Sequence, residues 1–120
     1  MKLLKMLLCF ALLGLFGVGC HERDDDHHPP AGMGSILLRN NAGDDIYVYF
    51  DGAIASNRAD YAETTPYDLA PGTYRVALTE RHGSRSWSDY VDVLQDRRTI
   101  LDVSADPTSS YAFDVVTFFD

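Results

Sequence analysis

The apolar positions of this 120-residue chain follow two different patterns. Met6 to Val18 is one unbroken run without a charge, rich in Leu and Phe. From Ser35 onward, apolar residues come in short alternating runs divided by turn residues. A period of two places successive side chains on opposite faces of a strand. Ile46, Val48 and Phe50 therefore share one face, with Tyr47 and Tyr49 on the other; Tyr74, Val76 and Leu78 stand against Arg75, Ala77 and Thr79. Asp51-Gly52 predicts a two-residue hairpin turn into Ala53 to Ser56. Thr65 to Leu69 reads as an edge strand, because Pro66 has no N–H for a central ladder. Pro71-Gly72 marks another turn, with Gly supplying positive φ. Ser35 to Arg39, Ser86 to Leu94, Arg98 to Val103 and Tyr111 to Phe118 complete the strands. Val91 and Val93 point inward in the second of these, whereas the last is apolar on both faces and leaves its inward side open. No window keeps a helical period beyond a turn. About seven or eight strands, spaced by turns, predict an all-β fold: a small antiparallel sandwich over residues 35–120. A chain of this length has room for one such domain.

The first run demands a separate reading. Lys2 and Lys5 precede it, and small residues close it at Gly17 and Gly19. A basic start, a short apolar centre and a small-residue end are the parts of a secretory signal, here residues 1–19. The run falls short of the roughly 20 residues that cross a bilayer, so an uncleaved anchor is the weaker alternative. Gly17-Val18-Gly19-Cys20 resembles the lipobox of bacterial lipoproteins, in which cleavage precedes the cysteine and lipid is joined to its sulfur. Gly17 departs from the leucine usual three residues before the cysteine. The resemblance implies lipidation of Cys20, and the membrane as a partner through that lipid. With His21 rather than Asp after the cysteine, it also implies the outer membrane. Cys9 lies inside the leader, so a mature chain would have a single thiol and no internal disulfide. Lipidation accounts for that odd cysteine; a free thiol or an intermolecular disulfide is the competing account.

Charge narrows the partners. The chain has 10 basic and 18 acidic side chains. Without Lys2 and Lys5, eight basic residues, all arginine, face those 18 acids, a net of −10. Nucleic-acid binding needs clustered cations, so it is excluded as an expectation. Anionic head groups would also repel the chain, leaving lipid to hold it. Residues 20–34 carry charge, paired prolines and glycines with little apolar content, and read as a disordered tether. At coil dimensions such a tether spans about 20 Å, and roughly 45 Å when stretched.

A second resemblance lies in the domain. Val48-Tyr49-Phe50-Asp51-Gly52, Thr65-Pro66-Tyr67 and Leu69-Ala70-Pro71-Gly72-Thr73-Tyr74-Arg75-Val76 are similar to the PEGA domain of bacterial surface proteins. That domain has relatives in the immunoglobulin-like and transthyretin-like sandwich class. An uncharacterised family of secreted bacterial domains has nearly the same pattern, with counterparts of Arg39 and Asn41-Ala42. Gly43-Asp44-Asp45-Ile46 replaces the Pro-Glu-Gly-Ala tetrad. The resemblance implies a non-catalytic envelope module, and carries fold more than function.

Four residue groups are candidates for chemistry. His21, Asp24, Asp25, Asp26, His27 and His28 have metal-ligating atoms but sit in the tether rather than on a frame. Asn40, Asn41, Asp44, Asp45 and Asp51 offer hard oxygens to calcium, without EF-hand spacing; Asn and Asp also populate turns for backbone reasons. His82 lies near Ser84, Ser86 and Ser88, but no Gly-x-Ser-x-Gly elbow accompanies it, so the chain reads as no enzyme. Tyr47 and Tyr49, with Trp87 and Tyr90 on a Ser- and Asp-rich strand, form the candidate ligand-binding set. Such aromatics stack on sugar rings or contact peptide, unless they pack beneath other elements. No cofactor is expected. The expected role is an interaction or structural module with an envelope protein partner; the alternative is a glycan- or peptidoglycan-binding module.

Overall fold

The computed structural model describes residues 26–120. Eight strands follow one another: β1 (Gly34–Asn41), β2 (Ile46–Phe50), β3 (Ala53–Ile54), β4 (Thr64–Leu69), β5 (Gly72–Glu80), β6 (Ser86–Val93), β7 (Arg98–Ala105) and β8 (Phe113–Phe119). They form two four-stranded sheets, in the orders β4-β1-β7-β8 and β3-β2-β5-β6. The all-β sandwich expected from the alternating runs is therefore the observed fold. One pair departs from antiparallel order, since β1 and β7 run parallel, with Ser35 beside Arg98 and Asn41 beside Ser104.

Local chemistry explains several joints. Asp51 and Gly52 both have positive φ, 50° and 86°, as a two-residue turn between Phe50 and Ala53 requires. The Asp51 carboxylate adds a bond from the Arg75 N–H at 2.8 Å, tying the turn to the neighbouring strand. Pro66 sits in β4, an edge strand, where its missing N–H costs no ladder bond. Gly72 has the positive φ of the turn reading, 159°, and begins β5.

The core lies between the sheets. Ile36, Leu38, Leu101 and Val103 meet Ile46, Val48, Val76, Leu78, Val91 and Val93, all buried. Phe50 on β2 packs edge-on against Tyr67 on β4, with ring centres 5.3 Å apart, and against Tyr74 at 6.3 Å. The Tyr67 hydroxyl donates to the Asn57 carbonyl at 2.7 Å, and burial pushes its phenol pKa up. The last strand, open in the sequence, is settled here: Phe113 and Val115 join the core, and Val116 and Phe118 are exposed.

The ordered domain takes in residues assigned above to the tether. Gly34 belongs to β1, and His27 bonds Asp68 on β4 at 2.8 Å, while its carbonyl accepts from Arg98 on β7 at 3.4 Å. Gly32 N–H donates to the Asp96 carboxylate, and Asp96 N–H donates to the Met33 carbonyl. His27 thus spans β1 at one end of its sheet, bonded to both flanking strands. The signal, Cys20 and the acidic run up to Asp25 lie outside the described residues.

Candidate functional site

Cross-strand register decides which candidate residues meet. On the side of the β3-β2-β5-β6 sheet away from the core, Tyr47 aligns with Thr79 and Ser86. The next row runs Ile54, Tyr49, Ala77 and Ser88, and the next pairs Arg75 with Tyr90. Tyr90 is 70% exposed and Ile54 59%, while Tyr47 and Tyr49 are half-buried. Arg75 is exposed and reaches the Ser88 hydroxyl at 3.3 Å. Three of the four candidate aromatics therefore share one open face with an arginine and an isoleucine.

Trp87 is not among them. It aligns with Leu78 and packs against the core on the opposite face of the same sheet. The four-aromatic set is corrected to three, because indole area is worth most where it leaves water.

The calcium candidates also come apart. Asp44 and Asp45 precede β2 and Asp51 follows it, about 20 Å away at strand rise. Asp44 Oδ1 accepts from the Asp45 N–H at 2.7 Å and meets His82 Nδ1 at 2.9 Å; Oδ2 accepts from the His82 N–H at 2.8 Å. Asp45 accepts from the Tyr61 N–H at 3.0 Å and from Arg81 at 3.2 Å, with Arg58 at 3.5 Å. Asn40 is fully buried, its amide donating to the carbonyls of Asp44 and Ala59 and accepting from the Ala42 N–H. These oxygens hold loops together, and among the described residues no group of three or more His, Cys, Asp or Glu could enclose a metal ion. His82 is held by Asp44 rather than by a serine, so no nucleophile–base pair forms there.

Hydrogen bonds of this kind depress three carboxyl pKa values. Asp44 lies below its ordinary 3.8 chiefly through its hydrogen bond with His82, and Asp45 through the Tyr61 N–H and then Arg81. Asp106 is lowered by the Thr108 hydroxyl and N–H, at 2.7 and 2.8 Å. A carboxyl depressed in the folded state binds protons more readily when unfolded. Its stabilising share is therefore complete above the unfolded value of 3.8 and is lost as pH falls through the lower folded value. Urea unfolding should give a midpoint that is level in this respect near neutrality and falls below about pH 4. Asp44→Asn should flatten part of that decline; an unchanged acid limb in Asp44→Asn would refute the assignment.

One concave feature had no signal in the sequence. A polar cleft of about 550 Å³ lies beside β4, lined by Arg58, Asp60, Glu63, Thr64 and Thr65 among others. A smaller one of about 290 Å³ adjoins it over Phe50 and Tyr67. Arg58 is engaged with Asp60 at 2.8 Å. Most of the cleft is built by residues 57–64, a polar stretch between the strands that carries no motif.

No family model and no curated protein matches the sequence. The chain is similar in structure to the C-terminal domain of AlgF from P. aeruginosa, with a TM-score of 0.59 at 11% identity. The match covers 74% of this chain and 99% of that one. At that identity the likeness concerns the sandwich fold.

Proposed function

We propose that the chain is a lipid-anchored envelope protein whose sandwich is a non-catalytic interaction module, presenting the Tyr47–Tyr49–Tyr90 face to a protein partner. The observation that carries this reading is the make-up of that face. Tyr49 and Tyr90 lie with Ile54 and Arg75 on one exposed sheet surface. Tyrosine and arginine dominate the binding energy of protein contacts, and an aliphatic neighbour excludes water around them. The anchor in this reading is lipid on Cys20, with the outer membrane as its site.

A glycan or peptidoglycan ligand is the second reading, favoured by the same tyrosines. It is weakened by Trp87, the largest stacking surface, which faces the core. The two separate cleanly. A photo-crosslinking residue at Tyr49 in the full-length chain should yield discrete protein adducts in cells, and one at Asp96, away from the face, should not. Sedimentation with purified peptidoglycan that Tyr49→Ala and Tyr90→Ala abolish would move the conclusion to glycan. Equal adduct patterns from both crosslinking positions would remove the face from the proposal.

A further inference from the structure

The sandwich has four edge strands, and three are blunted against further pairing. β3 is two residues long, β4 contains Pro66, and β6 carries Asp89 and Asp92. Short length, proline and charge are the usual means by which an edge avoids recruiting another strand. β8 carries one acid, Asp114, near its start, and has none of the three over Val115-Val116-Thr117-Phe118-Phe119. Val116 is 58% exposed, Phe119 47% and Phe118 39%.

Its hydrogen-bond phase can be read from one end. Arg98 and Asp120 exchange both backbone bonds, at 3.3 and 2.9 Å. Antiparallel pairs alternate, so residues 114, 116 and 118 also turn their polar groups toward β7, and 113, 115, 117 and 119 turn theirs away from it. Ser86 N–H donates to the Tyr111 carbonyl at 3.1 Å, which closes this edge just before Phe113. Ser86 bridges Ala112 in parallel, which also takes up the Phe113 N–H, so no described strand covers the edge from Asp114 onward.

We propose that β8 pairs antiparallel with β8 of a second copy, about a twofold axis at Val116, joining two sheets into one. The strand's own order of residues selects this occupant. With Val116 opposite itself, Val115 faces Thr117, so the outward-turned backbone groups at the centre of the strand meet one another. Aromatic and β-branched residues are favourable cross-strand partners. The two Asp114 carboxylates do not meet; each falls opposite Phe118, whose ring carries the Arg39 guanidinium at 5.7 Å from its centre. The register thus sets an acid beside a cation in two chains that are otherwise both acidic.

The test uses the full-length chain in mild detergent. A non-hydrogen-bonded pair on the axis brings Cα atoms to about 4.5 Å, within disulfide reach. Val116→Cys should form a covalent dimer on oxidation, beyond any formed by the wild-type chain, and Ser88→Cys on the tyrosine face should not. Sedimentation should show a wild-type dimer. Thr117→Pro, which removes an outward N–H, and Val116→Lys should give monomers with unchanged far-UV circular dichroism. A monomeric wild type overturns the proposal, as does a dimer that survives both substitutions. If those variants unfold, the cysteine comparison decides, and equal crosslinking at Val116→Cys and Ser88→Cys rejects the β8 contact. The tyrosine face is untouched by that result.

Discussion

Asn40→Leu should lower the free energy of unfolding by roughly 3–5 kcal/mol, since two buried partners and one part-buried partner lose their bonds at once. Leucine keeps the branching of asparagine and is larger, so no cavity is left, and the loss combines orphaned polar groups with overpacking. The side-chain amide donates to the Asp44 and Ala59 carbonyls at 2.8 and 2.9 Å and accepts from the Ala42 N–H at 2.9 Å. Each orphaned group would retain its desolvation cost without compensation. Domains of this size are stabilised by about 5–15 kcal/mol in all, so the loss is a large fraction. Urea denaturation of wild type and variant checks it; a difference below about 1 kcal/mol would mean that water replaces the amide. Asn41→Leu, one residue on and exposed, is the control and should cost little.

Gly34→Ala should cost about 1–3 kcal/mol, through overpacking. A methyl group there would sit 2.4 Å from the Leu94 carbonyl oxygen and 2.6 Å from Val93 Cγ1. The first neighbour is backbone at the end of β6, so relief requires the two sheets to separate locally. Thermal unfolding should show a midpoint several degrees lower. An alanine variant as stable as wild type would show that the β1–β6 approach has slack.

These two positions mark where sequence reasoning stopped. Asp51-Gly52, Pro66 and the Val91/Val93 pair were legible because turn chemistry and period two act over a few residues. Asn40 read as a loop residue or a cation ligand, since its decisive partner, Ala59, lies 19 residues away. Gly34 read as tether because composition reports flexibility and not a close approach by a distant strand. Trp87 is different. It has the parity of Val91 and Val93, so alternation along β6 already placed it inside, and its Ser and Asp neighbours concealed the fact. The inward side of β8 needed the register with β7, because both of its faces are apolar. Of the candidate site, the tyrosine face was readable from β2 alone, whereas its junction with Tyr90 and Arg75 depends on strand order.

The parallel pair β1–β7 has a mechanical consequence. β1 is the first strand of the domain and lies between β4 and β7, bonded along its length to both. Tension applied through the residues before Gly34 is therefore directed along β1, where extraction must break two rows of bonds together in shear rather than unzip them singly. A load borne between the N-terminal segment and a bound partner would meet those two rows together.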